Sequence, residues 1–413
     1  MNEGGDILRG GLDIAIAGAG PGGLATALFL SRQGHRVTLF ERFQTPRPVG
    51  SGLMLQPTGL AALEALGLSA EISRLGSRVD RLLGTDSKSG RIVLDVRYKP
   101  LGADVHALAV HRAALFKVLH DAVVAAEIEV TVGFEATEMS HANSGYFLHC
   151  RKGRRGPFHL IVDATGSSSP LRQFAKYRST GRPLEFGALW ATLPWVEPGF
   201  DRSALVQRYH KASVMIGVLP AGRQVTDGPD LAAFFWSFKT AQYDAVRSAG
   251  LEAWRSEVRH HWPETEPHLS NVVDFDQLSL VRYVHSTLRV PAGDGIAFIG
   301  DSAHSTSPQL GQGANMALLD AAALAFAVET AANIPDALAA YVQMRRWHVR
   351  LYQFLSKALT PLYQSDSLIY PVLRDIATGS FAQIPPLPWL LAKLISGQLL
   401  LARNPILPRR PAE

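Results

Sequence analysis

Apolar and polar positions change period several times along this chain. Leu12 to Ala17 is a short continuous apolar run ending in glycines, the pattern of a buried strand. Small and apolar residues then recur at helical spacing from about Gly22 to Gln33, and a second apolar run, Val37 to Phe40, closes at Glu41. Strand, glycine turn, helix, strand is the opening of a parallel βαβ unit. Further helices are predicted from Thr58 to Leu66 and from His111 to Ala125. Residues 79 to 97 alternate as two strands around Ser89 and Gly90, and strands near 128–150 lead to the stretch IVDATGSSSPLRQ.

Residues 184 to 240 have another character. LEFGALWATL, SALVQRYH, SVMIGVLP and LAAFFWSFK each alternate in part, with turn residues at Pro198–Gly199, Lys211–Ala212 and Gly222–Gly228. They predict an antiparallel sheet, followed by a helical segment at 243–270. An apolar strand, Ile296 to Ile299, comes next, then helices at about 314–332 and 336–358. The tail 359–413 contains IPPLPWLLAKLISGQLLLARNP, apolar but broken by Lys393, Ser396 and Gln398. It reads first as a helix packed on the domain. A lid over an apolar substrate or a helix lying on a membrane surface are the functional alternatives.

These elements give an α/β chain in three parts. A discontinuous Rossmann-like domain takes residues 1–75, 103–178 and 272–340. An antiparallel sheet domain takes 76–102 and 179–271, and a helical C-terminal segment takes 341–413.

The chemistry is concentrated in two stretches. In LDIAIAGAGPGGLATALFL, Gly18, Gly20 and Gly23 form G-x-G-x-x-G between a strand and a helix. The first glycine permits the tight turn, the second lets a pyrophosphate approach the backbone, and the third lets the helix pack on the strand. Glu41, at the end of the second strand, stands where a carboxylate accepts from ribose hydroxyls and repels a 2′-phosphate, so this site favours FAD or NAD over NADP. The second stretch is GDSAHSTSPQLGQGANMALLD, from Gly300. A strand end, a Pro308 turn, Gly311 and Gly313, and a helix starting near Asn315 gather backbone N–H groups around one point. That arrangement suits the pyrimidine end of a flavin, which is electron-rich when reduced. Two motifs so far apart in the chain fit FAD better than NAD, adenine at the first and isoalloxazine at the second. Gly50 and Gly52 would let the chain pass close to the ring.

The pairing resembles the flavoprotein aromatic hydroxylases, the single-component monooxygenases of the para-hydroxybenzoate hydroxylase type, over roughly residues 10 to 350. The resemblance is carried by Gly18, Gly20, Gly23 and Glu41, by Arg112 in HRAALFKVL, and by Gly300, Asp301, Ala303, His304, Pro308, Gly311, Gly313 and Asn315. It implies a GR2-type FAD-binding fold with a sheet roofing the flavin as the substrate domain. FAD would be held by Gly18, Gly20, Gly23, Glu41, Arg42, Arg112, Asp301, Pro308, Gly311, Gly313, Ala314 and Asn315, with Asp301 on the ribitol. NAD(P)H would reduce the flavin, O2 would add to give a C4a-hydroperoxide, and one oxygen atom would pass to an aromatic or unsaturated apolar molecule. Trp190, Thr192, His210 and Trp236 are the candidates for lining the substrate pocket.

One motif departs from the family. Gly166, Ser169 and Arg172 match its middle stretch, but Thr165 takes the position of an Asp linked to both FAD and NAD(P)H. Asp163 is two residues earlier, on the same face of a strand but displaced by about 6–7 Å. It reads equally as a cap on the next turn. The departure bears on direct reduction by NAD(P)H and leaves a partner reductase open.

Composition narrows the remaining classes. With 19% charged and 47% hydrophobic residues in 413, the chain is globular. Its single cysteine, Cys150, excludes an internal disulfide and suits a reducing cytoplasm. No Cys/His group has metal-ligand spacing. A net charge of +5 is modest, and the clusters Lys152–Arg155 and Arg409–Arg410 lack interleaved aromatics, which argues against nucleic acid. The start, MNEGGDILRGG, has no apolar core of a signal peptide, and no run reaches the length of a membrane span. Alternatives of the same fold are a flavin-dependent halogenase, for which no W-x-W-x-I-P stretch is present, and an isoprenoid double-bond reductase. A flavin-binding scaffold is the non-enzyme reading.

Overall fold

The computed structural model describes residues 11–45, 51–178, 180–375 and 384–402, with Pro405 and Leu407. Its first layer is a six-stranded sheet. The strand Asp13–Ala17 pairs in parallel with Arg36–Glu41 on one side and Leu160–Asp163 on the other. Glu129–Val132 and Ile296–Phe298 extend it in parallel, and Ala292–Gly293 closes the edge antiparallel. Parallel strands buried on both faces need continuous apolar runs, and Ile14, Ile16, Val162, Ala297 and Phe298 are all fully buried. The helices Pro21–Arg32, Arg112–Ala125 and Gly313–Thr330 pack around this sheet.

The second layer is a seven-stranded sheet in the order Ser279–Thr287, Thr180–Pro194, Leu231–Lys239, Val214–Gly222, Ala204–His210, Arg81–Asp86 and Ile92–Arg97. All neighbours are antiparallel except Ala204–His210 with Arg81–Asp86. The strand pair around Ser89–Gly90 therefore joins this sheet, and so does Ser279–Thr287 on the way back to the late motif. Alternation sorts its residues between two faces. Leu189, Ile216, Phe234 and Trp236 meet Trp254, Val258 and Trp262 of a helical layer, built by Tyr243–Ala249, Leu251–His261 and Glu266–Leu269. Tyr209, Met215, Leu219, Ala233 and Phe235 face the other way, toward the flavin-type domain and the tail.

A small sheet, Gly52–Leu55, Ala107–His111 and Ser77–Val79, joins the two layers. Leu55, Leu108 and Val110 enter the first core, while Ala107, Ala109 and Met54 enter the second. At Gly52 the small sheet closely approaches the large one: a Cβ there would lie 2.6 Å from the Ala233 Cβ. The Gly52 side of the expected close passage is thus an approach to the large sheet, and Gly50 lies outside the described residues.

The long helix Ile334–Tyr363 follows, longer than the 336–358 read from the sequence, with Asn333 capping its start through Asp336 N. The tail helix Leu387–Ile395 packs on the body, burying Ala392 and Ile395 and leaving Trp389 and Leu390 exposed. Among the described residues no helix is long and apolar enough to cross a membrane.

Candidate active site

A cleft of about 380 Å³ runs along the carboxyl ends of the parallel strands. Gly18, Gly20, Glu41, Arg42, Arg112, Asp301, Gly313 and Ala314 line it, so most of the residues predicted from two distant stretches meet here. Thr165, Ser168 and Pro170 of the middle stretch line it too, as do Phe43, Leu53, Phe116 and Glu135, to which no motif pointed.

The glycine turn has the geometry a pyrophosphate needs. Gly18 sits at φ +103, and a Cβ on it would lie 2.5 Å from the Ala164 oxygen. A Cβ on Gly23 would lie 1.9 Å from the Gly18 oxygen, so Gly23 serves helix–turn packing behind the cleft wall. A Cβ on Gly20 would meet nothing within 4 Å. Gly20 is thus not required by the protein's own packing; the open space beside it, at the start of the helix Pro21–Arg32, fits an approaching diphosphate. Glu41, buried, accepts from Ala19 N at 2.9 Å and from Phe43 N at 3.0 Å, which fixes the carboxylate against the turn.

The middle stretch is organised by Asp163. One carboxylate oxygen accepts from Thr165 N at 2.9 Å and Thr165 Oγ1 at 2.6 Å; the other accepts from Ser169 Oγ. Burial pushes the Asp163 carboxyl above the usual range, against these hydrogen bonds and the nearby Arg172. Asp163 is fully buried and committed to this turn, so it caps the turn and does not stand in for the missing Asp at Thr165. Thr165 itself faces the cleft. Arg172 ties this turn to the late motif: it donates to Ser302 O at 2.7 Å, to Ser167 O at 2.8 Å and to Asp301 O.

In the late motif, Gly300 adopts φ +57 and Asp301 opens a short helix, Asp301–His304. The conformation is held from behind by Asp320, fully buried, which accepts from Gly300 N at 2.8 Å and His304 Nε2 at 2.6 Å, and pairs with Arg345 Nε at 2.6 Å. These donors hold the Asp320 carboxyl down at about 2 in spite of its burial. The sequence had given Asp320 and Arg345 no role.

Three late residues fall away from the cleft. Asn315 is fully buried; it accepts from Gln56 N at 2.8 Å and donates to Met54 O and Gly311 O. It clips the small sheet to the loop, in place of the expected cofactor contact. Gly311, at φ +60, and Pro308 shape the same turn without lining the cleft. The helix begins at Gly313, two residues before the predicted start, and this puts Gly313 and Ala314 at the cleft.

The four pocket candidates separate. Trp190 and Thr192 point to the inner face of the large sheet. The Trp190 ring lies 4.8 Å from Phe235, and its Nε1 donates to Tyr283 Oη at 3.1 Å. Thr192 Oγ1 lies 3.1 Å from His111 Nε2 and 2.9 Å from Ser51 Oγ. Trp236 is on the opposite face, stacked on Phe238 of the same strand and turned toward the helical layer, because it is one residue out of phase with Phe235. His210 also faces that layer, its ring 5.0 Å from His261, with Ser87 Oγ at 3.3 Å. Tyr283, which the sequence did not single out, stands beside Trp190 instead. Burial pushes its phenol up to about 12.

A family model described as FAD binding domain matches residues 11–352. The chain belongs to this family. The aurachin C monooxygenase/isomerase of Stigmatella aurantiaca is 25% identical over 345 residues, 82% of this chain and 86% of that protein. The phenazine 1,6-dicarboxylic acid hydroxylase PhzS of Lysobacter antibioticus is 27% identical over 362 residues, 81% of this chain and 86% of that one. In fold, HpxO of Klebsiella pneumoniae, solved with FAD and uric acid, superposes with a TM-score of 0.77 at 18% identity, covering 95% of this chain and 98% of that one. The family member described here is an FAD-dependent monooxygenase with NAD(P)H as the reductant typical of the family. Neither the halogenase nor the double-bond reductase reading is favoured by these relatives.

Proposed function

We propose that the chain inserts one oxygen atom from O2 into an uncharged aromatic or otherwise unsaturated small molecule, held between the cleft and the inner face of the large sheet. The observation that carries this reading is the make-up of that face: Trp190, Phe235, Met215, Leu219 and Tyr209, with Met54 and Leu94, form one aliphatic and aromatic cluster. Arg374, over the rings of Tyr209 and Tyr363, is already paired with Asp375 at 2.8 Å. The relatives are monooxygenases of aromatic substrates, which supports the aromatic part of this reading; the absence of charge rests on the face alone.

FAD, when bound, supplies the redox chemistry, taking electrons from NAD(P)H and passing them to O2. The protein supplies placement. Gly18, Gly20, Glu41 and Arg42 would hold the adenosine and diphosphate end, Arg112 and Asp301 the middle, and the N–H groups at Gly313 and Ala314 the ring. The apolar face excludes water from the reacting centre. Tyr283 accepts from Trp190 and keeps its own proton at neutral pH, so its O–H is a donor for a substrate oxygen or nitrogen.

Thr165, in the cleft, stands where the family has an Asp linked to NAD(P)H, so direct reduction is the step of the proposal that this departure puts to the test. Oxidation of NADH or NADPH accelerated by one of a panel of uncharged phenols, quinolines and polyenes tests it. A flavin reduced by neither nucleotide would favour a partner reductase. The exposed side chains of Trp389 and Leu390 beside Lys393 favour a second reading, peripheral contact of the tail with a membrane surface. Co-sedimentation with anionic vesicles tests that reading, and absence of binding removes it.

A further inference from the structure

The last four carbonyls of an α-helix have no partner within it. At and just past the end of Leu387–Ile395 the carbonyls from Leu394 to Gly397 are each met by a side chain from the body of the protein, Leu394 O also accepting from Gly397 N. Leu394 O accepts from Tyr352 Oη at 2.9 Å, Ile395 O from Gln312 Nε2 at 2.6 Å, Ser396 O from Thr58 Oγ1 at 3.2 Å, and Gly397 O from His348 Nε2 at 2.8 Å. Gly397 has φ +83, and a Cβ there would lie 2.4 Å from Thr58 Oγ1 and 3.0 Å from Gln312 Oε1. The fit admits no side chain.

Two of these contacts lead back to the cleft. Gln312 immediately precedes Gly313, which lines it. His348 leads there through a buried relay. A carbonyl only accepts, so His348 Nε2 carries the hydrogen; Arg345 only donates, so His348 Nδ1, 3.1 Å from Arg345, accepts. The imidazole is therefore neutral, in keeping with burial that holds it down at about 3. Arg345 then pairs with Asp320, and Asp320 holds Gly300 N and His304. Gly300 and Asp301 line the cleft. One loop, from Gly300 to Gly313, thus lines the cofactor site at both its ends and is tied to the tail directly through Gln312 and, from Gly300, through Asp320, Arg345 and His348.

We propose that docking of the tail helix and retention of FAD are coupled, the tail acting as a clasp on the flavin-binding loop. Losing the tail takes the acceptors from Gln312 and His348, lets water in beside them and loosens Arg345 and Asp320 behind Gly300. Binding FAD orders the same loop and so favours the docked tail. Thermodynamic linkage makes the two effects equal in size. Gln312, His348, Arg345 and Asp320 are positioning residues in this scheme. The proposal rests on FAD as the ligand of the cleft.

The test uses the full chain stripped of flavin, with FAD as the probe. Hydrogen exchange of the amides from 387 to 399 is followed with and without FAD. The FAD dissociation constant is measured for the native chain and for Gly397→Ala, His348→Leu and His348→Gln. The expected result is exchange slowed about tenfold or more by FAD, with FAD affinity weakened to a like extent in Gly397→Ala and His348→Leu. His348→Gln, whose amide can donate to Gly397 O and accept from Arg345, recovers most of the affinity. Tail exchange indifferent to FAD overturns the proposal, as does a variant with a freely exchanging tail and native FAD affinity. A native chain that binds no FAD overturns the cofactor reading and the clasp with it.

Discussion

Arg172 donates through Nε to the backbone oxygen of Ser302 at 2.7 Å, and by this bond the middle and late motifs become one surface. Its other nitrogens reach Ser167 O and Asp301 O, so a single guanidinium sets the spacing between the Thr165 turn and the Asp301 helix. Replacing Arg172 with Leu strands one half-buried carbonyl, Ser302 O, and leaves two exposed ones to water. The expected cost is about 1–2 kcal/mol of stability, with FAD affinity reduced as well. Urea unfolding of the flavin-free protein and a fluorescence titration with FAD measure the two effects separately.

Gly20 separates a ligand role from a structural one. Because a Cβ there meets no protein atom within 4 Å, Gly20→Val should leave the melting temperature of the flavin-free protein within a degree or two, yet weaken FAD binding by roughly 100-fold. Gly18→Val meets the Ala164 oxygen and should destabilise the fold whether or not FAD is present. Thermal melts with and without FAD distinguish the two.

Asp320 gives a pH dependence with a definite sign. Its folded carboxyl is lowered from the ordinary value of 3.8 to about 2. Its contribution is fully present above pH 4 and is lost as the pH falls toward 2. The size is about 2 kcal/mol by linkage. The Asp320→Asn protein should show a flatter acid limb between pH 4 and 2 than the native chain. It should also be less stable at neutral pH, since Arg345 loses its buried partner. Denaturant midpoints across that range check both points.

The two faces of the large sheet should respond differently to substitution. Trp190→Phe removes the N–H that Tyr283 Oη accepts, and Tyr283→Phe removes that acceptor together with the O–H offered to substrate; each is expected to lower kcat/KM about tenfold, the worth of one neutral hydrogen bond. His210→Asn, on the helix-covered face, should leave turnover unchanged. Trp236→Ala should cost about 3–5 kcal/mol of stability through the cavity it leaves. Steady-state kinetics beside unfolding curves resolve the two classes.

Much of this was legible in the sequence because it is local. A glycine turn between an apolar strand and a helix needs only residues 12 to 41, and Glu41, Arg112 and Asp301 follow their elements into the cleft. The faces of the large sheet were not legible. Trp236 and Phe235 are neighbours in a run that is apolar throughout, LAAFFWSFK, so period two is invisible there and only the two packing partners decide which way each ring points. Asn315 was assigned by motif to the cofactor, but its short side chain is consumed by the backbone of Gln56 and Met54, a contact between segments far apart in sequence. The Asp320–Arg345–His348 relay joins two helices and the tail, and no spacing rule links residues brought together that way.

The most direct test of the central claim is isotopic. The flavin-loaded protein is given NADH or NADPH, 18O2 and an uncharged aromatic compound that accelerates nucleotide oxidation, and the product is weighed by mass spectrometry. A monooxygenase predicts one 18O atom per product molecule and one nucleotide oxidised per product formed. A product whose new oxygen comes from water, or nucleotide oxidation that yields only hydrogen peroxide with every compound in the panel, would contradict it.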